Sequence, residues 1–210
     1  MSLRRLPRPR SSSRALAALV AAVGLVLTVS ACEVRPGAAA FVGEDKITEA
    51  QVAQYVSTTP AASPAAQGQQ TLTPRAQVLS TLIASQLFRQ YLGSNGGVPD
   101  DAALLASRDA AFTLVTGQGS PDLAQFRTTL EGLGFDADFA DVYARQIELE
   151  YEVIQRSKAA SLADLAKAVE DSTGAPKISP RYGTWDAAQL SLNGAGVVPG
   201  YLQLQSGSGV

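Results

Sequence analysis

The sequence predicts a mainly α-helical fold, a bundle of five to six helices with a small two- or three-stranded sheet formed by N- and C-terminal segments. Apolar residues recur at helical spacing through most of residues 74–174, as in amphipathic helices. β-branched and aromatic residues broken by glycine gather at residues 38–48 and again after residue 177, which favours strands and turns. Cap residues and glycines separate one helical segment from the next.

The predicted organisation has four parts. Residues 1–31 are expected to be a signal peptide, residues 32–40 a tether, residues 41–190 a helical domain and residues 191–210 a C-terminal tail. Within the domain, residues 58–74 contain three prolines, no charge and few large apolar side chains, which predicts a flexible loop or linker.

The N-terminal segment has the pattern of an export signal. Five arginines and no acid precede residue 15, and residues 15–29 are an uncharged run of small and aliphatic residues. The run ends in Val-Ser-Ala-Cys, which resembles the lipobox of bacterial lipoproteins. That resemblance implies signal cleavage between Ala31 and Cys32 and lipidation of the Cys32 thiol. The expected location is the cell membrane, lipid-anchored at its extracytoplasmic face, and stable anchoring requires two or more acyl chains.

Two alternatives to this interpretation are open. The apolar run could be an uncleaved anchor, although a spanning helix needs about 20 apolar residues and this run is short and rich in alanine. Arg4-Arg5 could belong to a twin-arginine export signal, although the surrounding residues do not fit the longer pattern. In either case the body is expected to work outside the cytoplasm.

Composition excludes several partners. Without residues 1–31, the remaining 179 residues carry 12 basic and 19 acidic residues, a net charge of −7. Nucleic acid is therefore not an expected partner, because it requires a basic face. Anionic lipid would not attract this body either, so the acyl chains are the predicted membrane attachment. A single cysteine allows no internal disulfide, and the fold must depend on a packed core.

The first elements after the tether are predicted to be a hairpin and a short helix. Two apolar or β-branched runs flank Gly43-Glu44-Asp45, as in a hairpin or a strand with a turn. Thr48-Glu49-Ala50-Gln51 has the spacing of a capping box, so a helix is expected to open at Thr48.

Five longer helical segments follow. The first is expected from Pro74 to Gly93, and the second begins after Pro99-Asp100-Asp101 and stops at Gly117. The third runs from Ser120 to an exit at Gly132 and Gly134, the fourth from Asp136 or Asp138 to about Lys158, and the fifth from Ser161 to Gly174. The first has apolar residues around most of its circumference, which indicates a central helix covered by others. In the third, Ser120 is the predicted cap and Pro121 the first helical residue. After residue 177 the chain becomes β-prone and aromatic.

The sequence offers little catalytic chemistry. It contains no histidine, which excludes Ser-His-Asp and Cys-His arrangements and the usual zinc ligands. A phosphate-binding loop and a dinucleotide fingerprint are also absent, so no cofactor and no metal are expected. Acidic clusters could support hydrolysis, but most lie where helix caps are expected. Glu148 and Glu152 are expected to share a solvent face with Arg145 and Arg156.

Two segments of the body resemble one protein family. "AAFVGEDKITEAQVAQYV" is similar to the opening of the SurA-type N-terminal chaperone domain, found in SurA-, PrsA- and PpiD-like export foldases. "ISPRYGTWD" resembles the C-terminal strand of that family, with Ser179 where asparagine is usual. The resemblance implies a helical core between two strands that pair with each other. The family's parvulin prolyl isomerase domain has no room between residues 158 and 177, so isomerase activity is not expected.

The resemblance further implies binding of unfolded or partly folded exported polypeptides. Tyr182, Trp185 and Phe112 are the candidate peptide-binding residues, because aromatic side chains give large contact areas at low entropic cost. The same rings could instead pack on the helical core. The expected function is a membrane-anchored, chaperone-like lipoprotein that is not an enzyme. The alternative is a non-enzymatic scaffold lipoprotein for one specific folded envelope partner.

Overall fold

A computed structural model describes residues 37–58 and 73–193. The predicted signal peptide with Ala31 and Cys32, residues 59–72 of the predicted loop and residues 194–210 of the predicted tail lie outside the described residues. The described ranges are mainly helical, with one three-stranded and one two-stranded antiparallel sheet. This architecture confirms the predicted fold class.

Six α-helices and five strands make up the described part of the chain. The helices are α1 Glu49–Gln54, α2 Pro74–Ser94, α3 Asp101–Thr116, α4 Leu123–Gly132, α5 Phe139–Ser157 and α6 Leu162–Thr173. The strands are β1 Ala38–Val42, β2 Asp45–Thr48, β3 Lys177–Ile178, β4 Thr184–Asp186 and β5 Ser191–Asn193. In these ranges, no helix has the length and hydropathy needed to cross a bilayer.

The three-stranded sheet has the order β2-β1-β3, so the first strand is central. β1 and β2 form the predicted hairpin, whose turn residue Gly43 has a φ of +59°. β3 pairs antiparallel with β1, and the Ser179 N–H extends this pairing by donating to the Ala39 carbonyl at 2.9 Å. The N- and C-terminal segments therefore meet in one sheet, as the resemblance implied.

The segment "RYGTWD" lies beside this sheet rather than in it. Pro180–Tyr182 forms a short 3₁₀ helix, and β4 then pairs antiparallel with β5 in a separate two-stranded sheet. The pairing with β1 thus ends at Ser179, because Pro180 lacks the N–H that would continue it.

The packed body extends beyond both predicted ends of the domain. Ala38, Ala39 and Ala40 are buried in β1, although residues 32–40 were expected to form the tether. Their methyl side chains allow α2 to pack close to the strand. At the other end, Leu192 of β5 is buried against the core, so the body continues at least to residue 193.

α2 is the central helix, as its pattern predicted. It packs against α5, α6, α1, β1 and β5, and its buried residues lie on several sides, including Val78, Leu79, Ile83, Leu87 and Phe88. α5 packs against α2 on one side and against α3 on another. These two helices form the framework of the body, and they also line a cleft.

Side-chain caps fix most of the helix starts where the sequence placed them. Thr48 and Gln51 form the complete capping box of α1. The Asp100 side chain accepts a hydrogen bond from the Ala103 N–H at 2.8 Å, and Ser161 caps α6 through the Asp164 N–H at 3.2 Å.

The predicted start of α4 was wrong by two residues. Its N-cap is Asp122, whose carboxylate accepts from the Ala124 N–H at 2.9 Å, and the helix begins at Leu123. Ser120 has a different role, because its N–H donates to Asp109 Oδ1 at 3.0 Å and so fixes the loop after α3.

Candidate functional site

A cleft of about 730 Å³ opens between the hairpin and the helices. Its walls come from β2, α1, α2, α3 and α5, so it brings together segments that are far apart in the sequence. This volume falls within the range of about 300–1,000 Å³ that ligand pockets span.

One wall is a stripe along α2. Leu82, Ser85, Gln86 and Arg89 line the cleft at spacings of three and four residues, which places them on one helix face. Leu82 is the apolar member of the stripe. Arg89 is exposed and has no ion-pair or hydrogen-bond partner among residues 37–58 and 73–193.

The opposite wall includes the edge of β2. Asp45, Lys46 and Ile47 all line the cleft, although successive side chains of a strand point to opposite faces. Three consecutive lining residues therefore indicate that the cleft follows β2 along its length. β2 pairs with β1 alone in the described sheet, so its second edge carries unpaired backbone groups.

The hairpin is held against α2 by hydrogen bonds near this wall. The Gln86 and Gln90 side chains donate to Asp45 Oδ2 at 2.5 and 3.1 Å. Gln90 also donates to the Val42 carbonyl at 2.8 Å. These bonds fix the position of the strand edge relative to the α2 stripe.

The third wall contains a buried charge cluster between α3 and α5. Glu148 is fully buried, and its Oε1 accepts from Nε of Arg108 at 2.6 Å. Arg145 Nη1 lies 3.2 Å from Glu148 Oε2, in ion-pair contact but outside hydrogen-bond geometry. Arg145 also pairs with the exposed Asp101 at 3.2 Å. Two arginines of the cleft wall thus share one buried carboxylate.

The predicted solvent face for Glu148 was therefore wrong. Helical spacing places Glu148 and Glu152 on one face of α5, but α3 covers that face at Glu148 and supplies Arg108. Glu152 and Arg156 remain partly exposed, 4.0 Å apart. Arg156 instead donates to the Gly97 carbonyl at 2.6 Å in the loop that follows α2.

The cleft carries an excess of positive charge inside an acidic protein. Its lining contains Lys46, Arg89, Arg108 and Arg145 against two carboxylates, Asp45 and Asp141. Asp141 is paired with Arg127 at 2.7 Å, and Asp45 is held by two glutamine amides. Glu148 and Asp101, outside the lining, pair with Arg108 and Arg145. Lys46 and Arg89 are then the lining cations without an anionic partner in the described ranges.

Three buried side-chain atoms lack a hydrogen-bond partner in the described chain: Ser85 Oγ, Arg145 Nη1 and Glu148 Oε2. Arg145 Nη1 and Glu148 Oε2 face each other at 3.2 Å in an ion pair, so each has a charged partner. Ser85, on α2, lies in the cleft lining, and its buried hydroxyl has no partner, which costs about 1–3 kcal/mol.

Glu150 lies two residues from Glu148 on α5 and is also buried. Burial raises the pKa of Glu150 to about 7, and the hydrogen bond that Gln146 Nε2 donates to it at 2.8 Å acts in the opposite direction. Glu150 does not line the cleft. Its carboxyl changes charge near neutral pH inside the protein core.

A second cluster joins the two ends of the body at Glu49. The Tyr182 hydroxyl donates to Glu49 Oε2 at 2.8 Å, Arg181 donates to Oε1, and Arg75 lies 3.6 Å away. Burial and the hydrogen bond to Glu49 raise the pKa of Tyr182. The Arg181 guanidinium lies 5.5 Å from the centre of the Tyr182 ring.

The aromatic residues that the sequence suggested for peptide binding do not line the cleft. Phe112 is buried in the core at 2% exposure, which does not fit contact with a ligand. Tyr182 is half-buried in the Glu49 cluster, and Trp185 is half-buried opposite Leu192 in the β4–β5 pair. Lipidation at Cys32 and cleavage after Ala31 fall outside the described residues.

The residues that build the cleft were missed from the sequence. Arg89 and Arg108 lie on different helices, and no local motif marks them. Their juxtaposition depends on how α2, α3 and α5 pack, which only the folded chain reveals. For metals, the described ranges hold no group of three or more His, Cys, Asp or Glu side chains that could bind an ion.

Comparisons with protein families, with curated proteins and with solved structures find no match to this chain.

Proposed function

We propose that this protein is a membrane-anchored, extracytoplasmic, chaperone-like lipoprotein that binds unfolded or partly folded exported polypeptides. The observation that carries the proposal is a cleft lined by β2, which is an edge strand of the described sheet. An extended polypeptide can add to such an edge through backbone hydrogen bonds, which are independent of the client sequence.

The walls of the cleft suit a varied polypeptide. Ile47, Tyr55, Leu82 and Val142 offer apolar contacts, and glutamine and arginine side chains lie between them. Backbone pairing with mixed side-chain contacts favours many clients of moderate affinity. The proposal includes no isomerase activity, because α6 is the sole helix that the described chain places between α5 and β3.

Membrane anchoring through Cys32 completes the proposal. It is supported by the arginine-rich start, the apolar run and the Val-Ser-Ala-Cys sequence. Cys32→Ser in the full-length chain is expected to move the protein from the membrane fraction to the aqueous fraction after cell lysis and detergent phase separation. Retention of this variant in the membrane fraction would favour an uncleaved anchor.

The binding proposal is tested with the chain from residue 32, carrying Cys32→Ser. It is expected to delay aggregation of a chemically unfolded client in light-scattering measurements and to bind extended peptides in fluorescence anisotropy. Leu82→Gln, in the cleft wall, is expected to weaken peptide binding several-fold. Leu105→Gln is the matched control, because Leu105 is 57% exposed on α3 outside the cleft.

The proposal fails if the protein neither delays aggregation nor binds any extended peptide. It also fails if Leu82→Gln and Leu105→Gln weaken binding equally, because the cleft would then have no special role.

A second candidate function is a scaffold for one folded envelope partner. It is favoured by the scarcity of exposed apolar side chains, since Val98, Leu105 and Leu114 are the large ones exposed in the described part. A chaperone that binds unfolded polypeptides commonly exposes a larger apolar surface. Crosslinking in cells separates the two functions, because a scaffold yields one stoichiometric partner and a chaperone yields many.

A further inference from the structure

We infer that the cleft selects polypeptide segments carrying an acidic side chain, whose carboxylate is bound by Ser85 and Arg89 of α2. This inference rests on the proposed binding of polypeptides in the cleft and specifies the kind of segment that is bound.

The first argument is charge. The body without residues 1–31 has a net charge of −7, yet Lys46, Arg89, Arg108 and Arg145 all line one cleft. Lys46 and Arg89 have no anionic partner within the part of the chain that the structure describes. Unpaired cations in a concave site attract an anionic ligand more strongly than cations on an open surface do.

The second argument is an unfilled donor. Ser85 Oγ is buried in the lining without a hydrogen-bond partner among the described residues. Ser85 and Arg89 lie one helical turn apart on α2, so their side chains share a face. A carboxylate has two oxygens that accept several hydrogen bonds, and it can bind a guanidinium and a hydroxyl at once.

The third argument is that the neighbouring carboxylates are already engaged. Glu148 is shared by Arg108 and Arg145, Asp141 is paired with Arg127, and Asp45 binds two glutamines. Outside the described residues the chain has one acidic side chain, Glu33, next to Cys32. An acid from a bound chain is the occupant that we infer.

The position of the donors relative to β2 also suits a polypeptide. A segment that pairs with the free edge of β2 directs alternate side chains towards and away from the sheet. The α2 stripe with Ser85 and Arg89 lines the same cleft as that edge. One acidic residue per bound segment is sufficient to reach these donors.

The experiment uses three dye-labelled peptides of equal length and identical apolar residues, with Glu, Gln or Lys at one central position. Binding to the Cys32→Ser chain from residue 32 is measured by fluorescence anisotropy at low and at high salt. The Glu peptide is expected to bind about tenfold more tightly than the Gln peptide at low salt, and the Lys peptide most weakly. High salt is expected to reduce this preference.

Two variants locate the effect. Arg89→Gln is expected to abolish the preference for Glu while preserving the fold, because Arg89 is exposed and makes no ion pair in the described structure. Ser85→Ala is expected to reduce the preference several-fold. Lys167→Gln is the control, because Lys167 lies on α6 outside the cleft lining and pairs with Asp171.

The outcomes separate this inference from the proposed function. Equal binding of the Glu and Gln peptides overturns the inference and leaves polypeptide binding intact. An Arg89→Gln variant with full preference for Glu also overturns it. Failure of all three peptides to bind overturns the proposed function and, with it, this inference.

Discussion

The hydroxyl of Tyr182 donates a hydrogen bond to the carboxylate of Glu49 at 2.8 Å, across 133 residues of sequence. Glu49 is the first residue of α1, directly after the strand hairpin, and Tyr182 ends the 3₁₀ helix that follows β3. The pair therefore fastens the C-terminal segment to the start of the body, next to the β1–β3 pairing. Arg75 and Arg181 approach the same carboxylate.

Glu49→Gln is expected to lower the free energy of unfolding by about 1–2 kcal/mol, because charge-assisted hydrogen bonds are lost. Urea denaturation followed by circular dichroism measures the change. Glu44→Gln serves as the control, because Glu44 is exposed in the hairpin turn and has no ion-pair partner in the described ranges. Equal stability of the two variants would show that the Glu49 cluster does not hold the ends together.

Glu148→Gln is expected to destabilise the protein by about 3–5 kcal/mol, because it removes the buried carboxylate that two arginines share. Glu152→Gln, one helical turn further along α5, is expected to cost about 0.5 kcal/mol or less, since its pair with Arg156 is partly exposed. Urea titrations of both variants give the comparison. A small effect at Glu148 would contradict the burial of this charge cluster.

Glu150 is expected to make the protein less stable as the pH rises. The folded protein holds the Glu150 proton up to about pH 7, whereas the unfolded chain releases it near pH 4.5. The contribution of Glu150 to the free energy of unfolding is therefore full below pH 4.5. It is lost as the pH rises through 7, by on the order of 3 kcal/mol. Glu150→Gln is expected to flatten this dependence, and urea titrations at pH 5 and pH 8 measure it. An unchanged pH dependence in the variant would assign it to other groups.

Gly183→Ala is expected to destabilise the β4–β5 sheet. Gly183 has a φ of +88°, and an added Cβ would lie 2.8 Å from the Asn193 carbonyl oxygen. Strained backbone and this close approach together cost about 1–3 kcal/mol. Gly132→Ala is the control, because its Cβ would meet no atom within 4 Å. Thermal unfolding of both variants tests the prediction, which fails if the two melt alike.

Helix limits were predictable because their signals are local. Thr48, Asp100 and Ser161 each lie three positions before the N–H group that they cap, and Gly117 ends α3 in a left-handed conformation. The start of α4 was misplaced because two neighbouring residues, Ser120 and Asp122, are both good caps. Which one is used depends on Asp109, which lies 11 residues before Ser120.

The cleft was not predictable because it depends on contacts between distant segments. Helical spacing placed Glu148 on a solvent face. Its hydrogen-bond partner Arg108 lies 40 residues earlier, and no local sequence pattern predicts that the two meet. The net charge of the whole chain is negative, so it gives no indication that cations outnumber carboxylates in the cleft lining. The sheet pairing of the two ends was expected from a resemblance, whereas the pairing of β4 with β5 was not.

The position of β1 between β2 and β3 has a consequence for how the protein is made. The chain is synthesised from its N-terminus, so β1 can pair with β2 soon after both are made. It can pair with β3 only after residue 178 has been synthesised. Until then, half of its backbone hydrogen-bonding capacity is open to competitors. The three-stranded sheet is therefore completed late in folding, when β3 pairs with β1. A truncated chain without β3 would leave one edge of β1 unpaired.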